Sequence, residues 1–122
     1  PGRGMQVGTC IDLDDELTGD GSPAPTVSCG AIHDAEVFEI GWLNPRRDQP
    51  YPGERDVHEA ALAKCSGESF TEYVGLASEA STLRVDVLLA LDHRWSEWRG
   101  EYVCLARASE GPLTTTVHGS GR

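Results

Sequence analysis

The stretch LRVDVLLAL, residues 83–91, decides the fold. Leu83, Val85, Val87, Leu89 and Leu91 fall on one face of an extended chain while Arg84 and Asp86 fall on the other, the alternation of a strand with one buried face. Polar DHRWSEWRGE follows and leads into EYVCLARA, which predicts a second strand over 101–108 with Cys104 near its middle. Together they form a hairpin-like pair. What covers them lies upstream, where Pro52 and Gly53 open an amphipathic helix predicted over about 54–74. Val57, Ala61 and Cys65 recur every four residues, and Ala60 and Leu62 broaden the stripe. Glu54, Asp56 and Glu59 occupy the first turns, where the positive end of the helix dipole favours them. Gly67 weakens or bends the helix, and Phe70, Tyr73 and Val74 carry the apolar face on to Gly75. Cys65 on the inward stripe can reach a strand packed over the helix.

The first half supplies shorter elements. Residues 7–13, 26–29 and 35–40 have strand character, with Val37, Phe38 and Ile40 as apolar anchors. GWLNPRRDQPYPGE reads as a long connection, its prolines at 45, 50 and 52 arguing against any regular element. TTTV, residues 114–117, is compatible with an edge strand, while residues 1–6 and 112–122 read as flexible ends. The fold class is therefore α+β: a small antiparallel sheet with one principal helix, in a single domain spanning 1–122.

Charge and cysteine usage narrow the setting. Twenty acidic against ten basic residues give a net charge of -10, which repels phosphate backbones and anionic lipid headgroups. Nucleic acid is not an expected partner. Cys10, Cys29, Cys65 and Cys104 show neither CxxC nor a Cys/His zinc spacing, so two disulfides and an oxidising, extracytoplasmic compartment are expected. Spacing alone leaves three pairings open. The preferred one closes each half of the chain on itself, Cys10 with Cys29 and Cys65 with Cys104, and each crosslink contributes about 3 to 4 kcal/mol by loop closure. No run reaches the roughly 18 apolar residues of a membrane span. The chain opens on Pro1 without an initiator Met and reads as an excised or processed piece, with any signal or membrane anchor left outside it.

VGTCIDL at 7–13, VSCGAIHDAEVF at 27–38, YPGE at 51–54, Cys65 within the helix, and WRGEYVCL at 98–105 resemble the septum formation domain of actinobacterial envelope proteins. Members show a Gly-x-Cys segment, a Cys-x-x-Pro-His-x-x-Glu-Val segment, a Pro-Gly helix start and a final Trp-Gly-Cys spacing. Ile32 stands here where the family commonly has proline. The resemblance implies an extracytoplasmic domain tethered by a membrane helix or lipid anchor in the full-length protein, with a role tied to septum formation and cell division. It implies no particular reaction.

Two constellations carry candidate chemistry. His33, Asp34 and Glu36 could be a catalytic cluster with His33 as general base, but neighbours on a strand alternate between faces and do not converge. The structural reading makes His33 a satisfied, partly buried imidazole bonded to backbone, with Glu36 pairing a basic residue. Trp95, Trp98 and Tyr102 form a candidate binding surface, since aromatic faces give contact area at little entropic cost. Against that, the favoured reading of Trp98 is that it packs against the disulfide at Cys104 and caps the small core, while Trp95, among Arg94, Ser96 and Glu97, stays open between the two.

Other chemistry finds no motif. There is no Gly-x-Ser-x-Gly elbow, and His33, His58, His93 and His118 are scattered without a metal-binding spacing. The acidic run Asp12, Asp14, Asp15, Glu16, Asp20 departs from the EF-hand order. No metal or cofactor is expected. The expectation is a non-enzymatic extracytoplasmic interaction or sensing domain whose partner is a protein or a cell-wall component. An envelope hydrolase or metal-dependent enzyme centred on His33, Asp34 and Glu36 is the competing reading.

Overall fold

A computed structural model describes residues 5–12, 26–89 and 94–122; the acidic run from Asp14 to Asp20 and His93 fall outside these. Five strands, β1 (Cys10–Ile11), β2 (Thr26–Val27), β3 (Ala35–Trp42), β4 (Leu83–Leu89) and β5 (Glu101–Ala108), form one antiparallel sheet in the order β2-β1-β3-β5-β4. The hairpin-like pair expected from the alternating stretch is β4 against β5, in register from Leu83 opposite Ala108 to Leu89 opposite Tyr102. β5 also pairs with β3 along its other edge, which makes it the centre of the sheet. β3 and β4 therefore run in the same direction with β5 inserted between them, and the helices form the crossover of a split β-α-β unit.

The expected principal helix is two helices. α1 (Glu54–Cys65) and α2 (Glu68–Val74) are interrupted at Ser66 and Gly67, where the Ser66 amide still bonds the Leu62 carbonyl. The break redirects the chain, and each segment buries its own short stripe: Val57, Ala61 and Cys65 from α1, Phe70 and Val74 from α2. The stripe is narrower than the sequence suggested, for Ala60 is exposed and Leu62 only half-buried. Both expected disulfides form. Cys10–Cys29 ties β1 to the segment after β2, and Cys65–Cys104 ties the end of α1 to β5.

The sheet buries apolar residues on both faces. Phe38, Leu83, Tyr102, Cys104 and Ala106 meet the helices, while Ala35, Val37, Leu88, Val103 and Leu105 form a second cluster with Ile11. A register shift between Val37 and Glu39 sets which residue joins which face. Glu36 lies opposite Ala106, Glu39 opposite Cys104 and Gly41 opposite Tyr102, so both glutamates and Gly41 are on the helix side. Ile40 and Trp42, opposite Val103 and Glu101, take the other face.

The C-terminal stretch, expected to be loose or to add an edge strand, does neither. Leu113 exchanges backbone hydrogen bonds with His33, and both Leu113 and Val117 are fully buried in the helix-side core. Gly119 and Gly121 then donate to the carbonyls of Tyr73 and Val74, laying the chain along the end of α2.

Candidate functional site

The His33, Asp34, Glu36 segment enters β3, and its members have separate environments. His33 is 1% exposed, and its Nδ1 donates to the Ala31 carbonyl at 2.7 Å. A carbonyl can only accept, so the ring proton sits on Nδ1. Nε2 has no hydrogen-bond partner among the described residues, so the imidazole is fully rather than partly buried and only half satisfied. The Asp34 amide donates to the Ile11 carbonyl and seats the start of β3 beside β1.

Glu36 has no exposed surface, and its partners differ from the basic residue expected. One carboxylate oxygen accepts from the Val117 amide at 2.9 Å; the other accepts from the Thr116 hydroxyl at 2.7 Å and from the Tyr73 hydroxyl. The carboxylate is thus a junction between β3, α2 and the C-terminal stretch. Burial, and after it the bond to and charge of Glu36, push Tyr73 above the ordinary phenol range, opposed by the Thr116 hydroxyl. The Cys10 and Cys29 sulfurs and a Glu36 oxygen lie within 4.8 Å of one another, a grouping that has the composition of a metal site. Both sulfurs are bonded to each other, which removes the thiolates that would bind a metal.

The expected aromatic surface lies in the interior. Trp95 is 3% exposed and its indole donates to the Gln49 carbonyl at 2.9 Å, while Asn44, also buried, exchanges two side-chain hydrogen bonds with Gln49 backbone. Gly100, at φ 67°, lets the chain pass the Trp95 ring, 2.8 Å from where a Cβ would stand. These contacts fasten the proline-rich connection to the turn before β5. Trp98 is mostly buried, with the Arg94 guanidinium 5.3 Å from its ring centre. Tyr102 donates its hydroxyl to Glu39 at 3.0 Å, and its phenol is pushed up to about 12 by burial first, then by that bond and charge.

The surface that is open lies elsewhere. Trp42, at 51% exposure, and Val7, at 54%, stand near the outer edge of β3. Beside Val7 runs a cleft of about 340 Å³ at the edge of the sheet, lined by Phe38, Glu39 and Ile40 of β3, by Ser69, Glu72 and Tyr73 of α2, and by His118. The His118 ring lies 4.6 Å from that of Tyr73. None of this was legible in sequence: Trp42 sat in an assumed loop, and the cleft joins residues up to 111 positions apart.

This is a disulfide-held α+β domain whose buried Glu36 and Asn44 side chains bond to its own chain. A family model described as septum formation matches residues 2–104, most of the chain, and the chain belongs to that family. No curated protein and no solved structure matches it. Thr116 and Val117, which hold Glu36, lie beyond the matched span.

Proposed function

We propose that the chain is a non-enzymatic interaction domain, presented outside the cytoplasm by an actinobacterial cell-envelope protein and tethered to the membrane by a segment outside this sequence. The septum formation family supports a role linked to cell division. Two closed disulfides are consistent with an oxidising location, and no described helix is long and apolar enough to cross a membrane.

The observation that carries the reading is the use of Glu36. A residue that transfers a proton to or from substrate needs access to it, and one that orients a base must bond that base, whereas this carboxylate is enclosed and committed to Tyr73, Thr116 and Val117, and the His33 Nδ1 bonds the Ala31 carbonyl instead. The remaining surface is acidic with isolated exposed apolar residues, suited to contact with a protein or wall component.

The test joins a thermal melt of His33→Ala to two assays of the full-length protein: release of soluble fragments from isolated cell walls, and photo-crosslinking from surface positions in its own cells. A lowered melting temperature, no fragment release, and adducts to a defined protein or wall component are expected. A His33→Ala protein that melts like wild type but has lost a wall-degrading activity overturns the reading.

A further inference from the structure

We propose that the second half of β3 is a docking edge that takes an extended, basic segment of a partner protein as an added strand. The proposal rests on the interaction role above and names its surface and the chemistry of the partner.

β1 covers β3 only near its start. The register runs through Ala35 and Glu36, and Val37 completes it by donating to Thr9 and accepting from Gly8. There the chain turns away, closed by the bond from the Thr9 amide to the Gln6 carbonyl. Beyond the bulge, β3 continues to Trp42, paired among the described residues with β5 alone. The Leu43 amide donates to Gly100 of the turn before β5, so by alternation Gly41 and Glu39 also direct their main-chain groups toward β5. Those of Ile40 and Trp42 point to the opposite edge, where no described residue pairs with them. An unpaired edge of this kind is a template for another strand.

The surroundings suit an added strand on both faces, because its side chains alternate. One set meets the exposed Trp42 beside Ile40, and the other enters the cleft between Phe38 and Tyr73. Among the described residues that line it, the cleft carries the carboxylates of Glu39 and Glu72 and no lysine or arginine. That balance selects the occupant. A segment with Lys or Arg at its cleft-facing positions gains from this field, whereas a second copy of the chain would bring another net charge of -10 to the same edge.

The experiment titrates the oxidised 122-residue chain with end-blocked peptides, one alternating valine and lysine and one alternating valine and glutamate, followed by fluorescence anisotropy and backbone amide exchange. The lysine peptide is expected to slow exchange at the Ile40 and Trp42 amides and to bind at least about tenfold tighter than the glutamate peptide. Trp42→Pro withdraws an edge donor without removing a bond to β5 and should abolish binding. Should that variant fail to fold, Glu72→Lys on the exposed side of α2 must weaken the lysine peptide about severalfold at low salt. The proposal is overturned by no change up to about 1 mM lysine peptide, by equal binding of the glutamate peptide, or by amides at Ile40 and Trp42 already protected without peptide. If these signals fail while cellular crosslinks persist from other positions, the edge is wrong and the interaction role stands; if both fail, both are wrong.

Discussion

Glu36 takes three hydrogen bonds from donors that reach it from two other parts of the chain. Replacing it by alanine would strand the buried Val117 amide and remove the acceptor of the partly buried Tyr73 hydroxyl and of the Thr116 hydroxyl, and a buried donor left unpaired is unfavourable. Glu36→Ala should lose about 2 to 4 kcal/mol in urea denaturation and free the C-terminal stretch to proteolysis. Glu36→Gln, which keeps the shape but brings its own donors to a site full of donors, should fall between. Wild-type stability in the alanine variant would show that the junction contributes nothing. Tyr102 gives a second prediction through pH. Its phenol is pushed up to about 12 in the fold, while the unfolded chain releases the same proton near 10. Between these values the native state holds more protons than the unfolded one, so stability is complete below about 10 and falls as pH rises toward about 12. Urea midpoints across that window should decline less steeply in Tyr102→Phe, and an identical decline would remove Tyr102 as a cause.

At the scale of elements, β3 is where local pattern and final structure part company. A regular strand would send Glu36 and Ile40 to one face and Val37, Glu39 and Gly41 to the other; the register shift after Val37 instead brings Glu39 and Gly41 round to the helix side. Gly41 then lies beneath the Tyr102 ring, where a Cβ would stand 2.7 Å from Cε2 and closer still to the hydroxyl end. Gly41→Ala should push the ring aside, break the Tyr102 bond to Glu39 and destabilise the domain by about 1 to 3 kcal/mol. Chemical denaturation with near-ultraviolet circular dichroism measures both effects, and an alanine variant with native stability and an unchanged aromatic signal would contradict the packing. β4 and the start of α1 were legible because each repeats its own apolar period over at least seven residues, and β5 because Tyr102 to Ala106 is an unbroken apolar run. The bulge was not, since it exists only relative to the register of β5. Trp95 looks exposed among Arg94, Ser96 and Glu97, and its burial depends on Gln49, 46 positions away, a contact that no local window contains.

Across the whole molecule, the two crosslinks serve unlike regions, and that difference is testable. Cys65–Cys104 joins the helix layer to the central strand inside the core, and both its cysteines are fully buried. Cys10–Cys29 staples the short strands at the sheet margin, where Cys29 is only half-buried. The even cysteine count predicted two disulfides, and the preference for closing each half on itself matches the observed pairs. What the sequence could not reveal is that the C-terminal stretch crosses back to the first half, through Leu113 on His33 and Val117 on Glu36, so that the halves are not independent. Loop closure over separations of 19 and 39 residues predicts about 3 kcal/mol for the marginal crosslink and about 4 for the central one. Thiol attack requires access to a sulfur, so mild reductant should open Cys10–Cys29 first, with Cys65–Cys104 yielding only when the core opens. Timed alkylation followed by peptide mass analysis should label Cys10 and Cys29 well before Cys65 and Cys104, and the doubly reduced chain should lose its cooperative melt. Simultaneous labelling of all four would mean that global unfolding precedes either reduction, and that the margin of the sheet is as firmly held as its centre.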